Sequence, residues 1–309
     1  MSDQPLLPLL APRHWPTWLG ASLLRVLAVT LPVDALIALG RGLGRLSLPF
    51  AGRRGEITAI NVGLCFPALS EAERQDLVRR HFESLGIAVF EFCLGWWAPD
   101  ARLEDRVRVE GLENLRAAFE RGKGVILLSA HFTTLEIGGR FLAMHTRGLP
   151  LNAMYRRSDN PVVERVLRNR RRHHFGEPIG RDDVRAMLRA LKKNETVWYA
   201  FDQNYKGNRK NRVFAPFFGI AAATNTATSR LAQATGAAVV PFFTRRLPDG
   251  KRYVQRIDPP LADFPSGDPA ADAARLNALI EGWVKEAPEQ YLWSHRRFRT
   301  RPKGETRFY

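Results

Sequence analysis

The stretch GVILLSAHFTTLEIGGR, residues 124–140, decides the fold class. Its first part is a continuous apolar run that ends at Ser129, which is typical of a strand buried on both faces. From Thr133 onward the apolar residues recur at helical spacing, so a helix is expected to follow. A buried strand that leads directly into a helix is the building unit of a parallel sheet covered by helices.

Segments with strand and helix patterns alternate on both sides of this stretch. Strands are predicted in VRVE, LPLNAMYR, TVWYAFD, AAVVPFFTRR and RYVQRID, and most of the segments between them have helical spacing. The alternation predicts an α/β fold over residues 106–309, with a mainly parallel central sheet flanked by helices. The last helical stretch is expected to run through APEQYLWSHRRF with a break near Pro288. Residues 46–105 are predicted to be helical and to face a membrane.

Residues 1–45 are interpreted as a membrane anchor. The segment from Trp15 to Gly44 is apolar, but Arg25 and Asp34 interrupt it, whereas a spanning helix needs about 20 apolar residues with few charges. The segment could span, or it could lie in the interface as an amphipathic anchor. A buried hairpin of core helices is the alternative. If the segment spans, the basic residues that follow it keep the main domain cytoplasmic: Arg41, Arg45, Arg53 and Arg54.

Basic residues outnumber acidic ones, with 47 Lys and Arg against 31 Asp and Glu, for a formal net charge of +16. Such an excess indicates a polyanionic partner, which could be nucleic acid, an anionic membrane surface or a phosphorylated substrate. No nucleic-acid-binding motif is visible, and the apolar N-terminal segment has no use in that class, so we expect no nucleic-acid partner. Cys65 and Cys93 lie in apolar contexts and are predicted to be buried free thiols, which favours a reducing compartment.

The string HFTTLE places Glu136 five residues after His131. On one regular helix these two would lie about 140° apart. They can meet if His131 lies at the end of the strand and Glu136 lies in the first turns of the helix. Catalytic groups collect at the carboxyl ends of parallel strands, which is where His131 is placed. In the alternative interpretation Thr133 caps the helix, Glu136 completes a capping box, and His131 is an ordinary loop residue.

The string HFTTLEIGGR resembles the signature of the lysophospholipid acyltransferase-like superfamily, and more closely that of the lipid A late acyltransferases of Gram-negative bacteria. Further stretches agree in order: YRRSDNP, MLRALKKNETVWYAFDQNY, TATSRLAQATGAAVVPFFTRR and APEQYLWSHRRFRTRPKGE. The resemblance covers nearly the whole chain, and it implies a glycerolipid acyltransferase-like fold. The chain departs from the family pattern at FDQN, where relatives often have PDHD or PDQD, and at Arg157, where some have Pro.

The resemblance implies acyl transfer from an acyl carrier protein thioester to a hydroxyl of a lipid A precursor of the Kdo-lipid IVA type, in lipopolysaccharide biosynthesis. The enzyme would work as a monomer at the bacterial inner membrane, with its catalytic domain on the cytoplasmic face. His131 would be the general base, and Glu136 would hold the other ring nitrogen. Transfer would be direct, since Ser129 lies within the strand and is a poor candidate nucleophile. We expect no metal and no cofactor. A glycerophospholipid or another glycolipid as acceptor is the alternative.

Two basic regions are candidates for anion binding. The first, ERVLRNRRRHHF, is the densest in the first two-thirds of the chain, and arginine binds phosphate in a bidentate fork. By motif position in the family, Arg156 and Arg171 are predicted to bind substrate, and Asp202 is an acidic position expected to order these arginines or the sugar. A solvated helix face is the alternative. The second region, SHRRFRTRPKGE (residues 294–305), is expected to contact headgroups or the acidic carrier protein.

Overall fold

The computed structural model describes residues 7–309. Its strands are β1 (Val107–Glu110), β2 (Val125–Ser129), β3 (Leu151–Tyr155), β4 (Ile179–Gly180), β5 (Thr196–Ala200), β6 (Arg212–Phe217), β7 (Ile220–Asn225), β8 (Ala238–Arg246) and β9 (Tyr253–Ile257). Its α-helices are α1 (Trp15–Thr30), α2 (Val33–Ser47), α3 (Arg53–Cys65), α4 (Glu71–Trp97), α5 (Leu112–Glu120), α6 (Leu135–His145), α7 (Pro161–His174), α8 (Val184–Lys192), α9 (Ala227–Thr235) and α10 (Pro269–Glu286).

Within residues 7–309, seven strands form the central sheet, in the order β1–β9–β8–β2–β5–β3–β4. Every neighbouring pair is parallel except β8 and β9, so the predicted α/β fold with a mainly parallel sheet is confirmed. Strand β2 lies between β8 and β5, and all five of its residues are buried. This position explains why the strand is apolar throughout, because helices cover both faces of the sheet.

Two parts of the architecture differ from the sequence prediction. Strands β6 and β7 form an antiparallel hairpin outside the main sheet, which the sequence analysis did not predict. Its turn uses positive φ angles at Phe218 and Gly219, and Phe218 is neither Gly nor Asn, so the usual hairpin signal is missing. The predicted helix after Pro288 is also wrong. Helix α10 ends at Glu286, and a short 3₁₀ turn, Pro288–Gln290, leads into a segment without regular structure.

Helices α2 and α4 pack closely through glycines. Gly86 of α4 faces Gly40 and Gly44 of α2, and a Cβ atom added to Gly86 would lie 2.1 Å from the carbonyl oxygen of Gly40. Helix α4 begins with the predicted capping box of Ser70 and Glu73. Its other end also packs against α6, the helix that carries Glu136.

The predicted anchor segment, residues 1–45, contains α1 and most of α2, whereas its first six residues lie outside the described part. Among residues 7–309, no helix combines the length and the apolar composition needed to cross a membrane. Both helices nevertheless expose large apolar side chains. On α1 these are Trp15, Leu19, Leu23, Val26 and Val29, and on α2 with the turn after it they are Leu39, Leu43, Leu46 and Phe50.

Candidate active site

His131 and Asp202 are brought together by the register of two parallel strands. Ser129, at the end of β2, pairs with Ala200, at the end of β5. His131 and Asp202 each lie two residues beyond the end of their strand, and Nδ1 of His131 lies 2.6 Å from Oδ1 of Asp202. The same carboxylate oxygen also accepts a hydrogen bond from the backbone N–H of His131, at 3.0 Å. The carboxyl ends of adjacent strands therefore build the pair, as expected for a parallel sheet.

Asp202 is almost completely buried, and its charge is held in place. Burial by itself would raise the pKa of its carboxyl group, but the charge and hydrogen bonds of His131 and the nearby charge of Arg297 lower that pKa below its usual value. An ionised carboxylate can only accept hydrogen bonds, so Nδ1 of His131 carries the proton that it donates to Asp202. Nε2 of His131 is then unprotonated and can accept a proton. The His131 side chain is 26% exposed and remains accessible to substrate.

This pair corrects two sequence-based expectations. The ring of His131 is held by Asp202, whereas it was expected to be held by Glu136. Asp202 was expected to order the arginines or a sugar, but it contacts the histidine. The physical reason is that Asp202 follows the strand paired with β2 in register, whereas Glu136 lies in the first turn of α6 and its carboxylate binds groups from α4 and α7.

Glu136 accepts hydrogen bonds from two neighbouring helices. Its Oε2 accepts from the indole nitrogen of Trp96 at 3.3 Å, and its Oε1 accepts from Arg171 at 2.5 Å. The capping-box alternative is wrong, because the N-cap of α6 is Thr134, which makes no side-chain cap and donates instead to the carbonyl oxygen of Thr244. Glu136 is therefore free of a capping role and serves to fix the guanidinium of Arg171.

Arg171 and Arg156 have different environments. The Arg171 guanidinium lies 5.3 Å from the centre of the Tyr155 ring, and its side chain is only 13% exposed. Arg156, on the loop after β3, has a side chain that is 68% exposed and lies 3.6 Å from Asp159. The structure thus brings Arg171 to Glu136, while Arg156 stays at the surface. A substrate-binding role for either arginine remains a prediction.

The segment after α10 closes over the His131 loop from the other side. The backbone N–H of Leu292 donates to the carbonyl oxygen of His131 at 2.9 Å, and the N–H of Thr133 donates to that of Gln290 at 2.7 Å. Phe132 and Tyr291 form an isolated antiparallel bridge between these bonds. Residues 290–292 therefore act as a short partner strand for the loop that carries His131, although the sequence suggested a helix there.

His295 binds the segment that follows Asp202. Its Nε2 accepts a hydrogen bond from the backbone N–H of Asn204, at 3.0 Å, two residues after Asp202. Burial lowers the pKa of His295 to about 4, which keeps the ring neutral and able to accept this bond. The sequence analysis treated His295 as part of a basic surface cluster and missed this contact.

The second basic region is only partly a surface feature. Arg297 is 2% exposed and donates to the Ala223 carbonyl, to Thr224 and to Asn277. Arg301 is also largely buried and donates to the Ala221 carbonyl. The expectation that this region contacts headgroups or a carrier protein is therefore wrong for these two arginines, whose guanidinium groups join the C-terminal segment to β7.

Two further features bear on the chemistry. The hydroxyl of Ser129 is buried and accepts a hydrogen bond from the indole nitrogen of Trp198 at 2.9 Å, so it is engaged in the core. A cavity of about 1000 Å³ opens between α6, α7, α8 and the edge of the sheet, and it reaches Tyr155 and Arg168. Its walls carry both acidic and basic side chains, among them Glu177, Arg189 and Lys193.

Residues 6–300 match the family described as bacterial lipid A biosynthesis acyltransferase. The chain is similar to the lipid A biosynthesis lauroyltransferase of Escherichia coli K12, at 42% identity, with 96% of this chain and 95% of that protein covered. The chain belongs to the bacterial lipid A biosynthesis acyltransferases. The resemblance inferred from the motifs is confirmed, and the protein is an acyltransferase of lipid A biosynthesis.

Other members of the family are similar over the same length. The lipid A biosynthesis palmitoleoyltransferase of Escherichia coli K12 is 40% identical, with 97% of this chain and 96% of that protein covered. The myristoyltransferase of the same organism is 32% identical, with 96% and 91% covered. Because the names of these relatives specify three different acyl chains, family membership leaves the transferred chain open.

Proposed function

We propose that this protein transfers an acyl chain from the thioester of acyl carrier protein to a hydroxyl of a Kdo-lipid IVA-type precursor of lipid A. The observation that carries the mechanism is the pairing of His131 Nδ1 with the buried carboxylate of Asp202. A hydroxyl is a weak nucleophile at neutral pH and needs a base within hydrogen-bond reach. Nε2 of His131 is the base, and Asp202 fixes its tautomer and stabilises the imidazolium that forms.

The reaction is a direct transfer. Nε2 of His131 takes the proton of the acceptor hydroxyl while the oxygen attacks the thioester carbon. The C–S bond then breaks, and the proton passes from Nε2 to the thiolate of the carrier's prosthetic group. The chain supplies no separate nucleophile, because the hydroxyl of Ser129 is held by Trp198 in the core. The first turn of α6 begins at Leu135, close behind His131, and the positive end of its dipole favours the oxyanion of the tetrahedral intermediate.

Glu136 acts through Arg171. The carboxylate, which itself accepts a hydrogen bond from the indole of Trp96, binds the guanidinium, and Tyr155 supports its face. A guanidinium that is fixed in this way presents its remaining N–H groups in a rigid fork, which suits a phosphate or carboxylate of the acceptor. We assign Arg171 to acceptor binding and Arg156 to a contact at the rim of the site. Both residues of the family motif in the HFTTLE string then contribute: His131 transfers the proton, and Glu136 positions Arg171.

The exposed apolar side chains of the N-terminal helices support a membrane location for the enzyme. The exposed apolar residues of α1, Leu19, Leu23 and Val26, form one stripe along the helix, and Leu43, Leu46 and Phe50 continue it on α2 and the turn after it. We propose that residues 1–45 lie in the interface of the inner membrane on its cytoplasmic face, that residues 46–105 face the bilayer, and that residues 106–309 form the catalytic domain of a monomeric enzyme.

A second acceptor class is a glycerophospholipid or another glycolipid, since the base would act on any suitably placed hydroxyl. The purified enzyme, supplied with acyl carrier protein thioesters of several chain lengths, separates these classes when the products are identified by mass spectrometry. The proposal predicts transfer to the Kdo-bearing lipid A precursor and little transfer to lysophospholipid. Preference for lysophospholipid, or for an acyl-coenzyme A donor, would overturn it.

A further inference from the structure

A small cavity lies where α1 packs on the middle of α7. It has a volume of about 190 Å³, and its walls include Trp18, Ser22 and Arg25 from α1, Trp97 from the end of α4, and Arg170 from α7. The contact between the two helices is supported by a hydrogen bond from Asn160 to the hydroxyl of Thr17. The cavity is larger than the roughly 30 Å³ that one water molecule takes in the liquid.

Two arginines face this cavity without a carboxylate partner. Neither Arg25 nor Arg170 forms an ion pair with an acidic side chain among residues 7–309. Other arginines of α7 do so, since Arg171 pairs with Glu136 and Arg172 with Glu177. Burial and the positive charge of Arg25 both lower the pKa of the Arg170 guanidinium below its usual value. Arg170 is partly buried and Arg25 is exposed, and two like charges beside one cavity favour an anion between them.

The surroundings of the cavity select the kind of anion. Trp18, Ser22 and Arg25 follow helical spacing and line the cavity, and Leu19, Leu23 and Val26 each follow one position later on the exposed apolar stripe. One position corresponds to about 100° around the helix. A lipid whose chains lie along that stripe would therefore bring its headgroup to the arginines. Trp18 and Trp97 both line the cavity, and tryptophan is enriched where a protein meets the membrane–water interface.

We propose that Arg25 and Arg170 form a binding site for the phosphate group of a lipid, separate from Arg171. Neighbouring residues divide between this site and the active site: Trp97 and Arg170 line the cavity, while Trp96 and Arg171 contact Glu136. Each of these cavity residues is thus the sequence neighbour of a residue that contacts Glu136. Both an anionic phospholipid of the bilayer and the phosphorylated acceptor carry this group. The second source rests on the function proposed above.

The test is co-sedimentation of the full-length protein with vesicles, which requires no acyl transfer. Phosphatidylcholine vesicles with added phosphatidic acid offer a phosphomonoester, and those with added phosphatidylglycerol offer a phosphodiester. The pocket variant is Arg25→Gln with Arg170→Gln. The matched control is Arg13→Gln with Arg53→Gln, which removes the same charge from exposed positions that flank the apolar residues of α1 and α2 in the sequence. Loss of one basic charge weakens binding about fivefold where that charge lies within a Debye length of the anionic surface, and less where it lies further away.

The proposal predicts that the pocket variant loses at least about tenfold more affinity for phosphatidic acid vesicles than the control does. Arg170→Lys should fall between wild type and Arg170→Gln, because lysine keeps the charge but lacks the fork. Equal losses in pocket and control variants would overturn the site. Inorganic phosphate, added at constant ionic strength, should compete weakly, and tight competition would overturn the assignment to a lipid.

The source of the phosphate is decided by transfer kinetics. If the acceptor occupies the cavity, the pocket variant raises KM for a bis-phosphorylated acceptor more than for one that lacks a phosphate. If a bilayer lipid occupies it, both acceptors are affected equally, and vesicle binding is still lost. Failure of lipid A acylation in wild type, with vesicle binding retained, would reject the proposed function and leave the site in place.

Discussion

Nδ1 of His131 lies 2.6 Å from Oδ1 of Asp202, and the same oxygen also accepts the backbone N–H of His131. One buried carboxylate therefore fixes both the position of the loop and the orientation of the ring. Because β2 and β5 are parallel neighbours in register, this relationship depends on the sheet and tolerates little adjustment. The remaining contacts of the site, on Glu136, Arg171 and His295, can be tested separately.

Glu136 and Arg171 should behave as one unit. Glu136→Gln removes the charge that fixes the guanidinium, and Arg171→Lys removes the fork, so each should lower kcat/KM by about 10–100-fold. The double variant should be little worse than the poorer single variant, because both lose the same positioned group. Steady-state kinetics on the four enzymes checks this. Fully additive losses would mean that the two residues act independently.

The stability of the protein should depend on pH through His295. Its pKa is lowered to about 4 in the folded state and returns to about 6.5 on unfolding. Between these values the unfolded chain binds a proton that the folded protein does not, so the free energy of unfolding falls as the pH drops from about 6.5 to about 4. His295→Gln should reduce this slope by up to about 1.4 kcal/mol per pH unit.

Urea unfolding of wild type and His295→Gln over this pH range provides the measurement. His81, whose pKa burial also lowers to about 4, remains in both proteins and gives a residual slope. Identical slopes in the two proteins would show that His295 is not held neutral in the fold.

The packing of α2 on α4 should be sensitive to a single methyl group. Gly86→Ala would place a Cβ atom 2.1 Å from the Gly40 carbonyl oxygen, so the helices must separate, at a cost of about 1–3 kcal/mol or more. Gly63→Ala on α3 is the matched control, because no atom lies within 4 Å of its added Cβ. That change should be neutral or stabilising, since alanine is the better helix former. Thermal and denaturant unfolding give the stability of the two variants. An equal loss of stability in both would contradict the close approach of α2 to α4.

Membrane binding should depend on the apolar stripe of α1. Leu19→Asp with Leu23→Asp replaces two side chains that are 70% and 60% exposed, so it should not disturb the core. Burial of each leucine in lipid contributes about 1.5–3 kcal/mol. The variant should therefore be released from membranes by a salt wash that leaves wild type bound. Val184→Asp, at an exposed apolar position on α8, is the control. Release of wild type and control by salt alone would contradict an interfacial anchor.

The strands and helices of the α/β part could be predicted because buried parallel strands carry long apolar runs and the helices between them have a clear period, as in β2 and α6. The β6–β7 hairpin could not, since Phe218 occupies a turn position where glycine or asparagine is the usual signal. His131 was predicted to be the base from its place at a strand end and from the resemblance to the family motif, and that role stays a prediction. Its partner was assigned to Glu136 because spacing along the chain gives no access to strand register, which is what selects Asp202.

The roles of the individual arginines could not be predicted from the sequence either. ERVLRNRRRHHF and SHRRFRTRPKGE have similar composition, yet Arg171 reaches Glu136 while Arg297 is buried against β7. Burial of a guanidinium depends on acceptors contributed by distant segments, such as Ala223 and Asn277. Composition reports only that the region is basic, and the direction of each side chain follows from tertiary packing.

The central claim, that His131 works as a base oriented by Asp202, is tested most directly by the rate of acyl transfer in Asp202→Asn under single-turnover conditions. Asparagine has almost the same size but cannot hold the ring in the required tautomer or stabilise its positive charge. The rate should fall by about 10²–10⁴ while the folded structure, followed by circular dichroism, is retained. A rate within a few-fold of wild type would contradict the claim and leave His131 without its proposed partner.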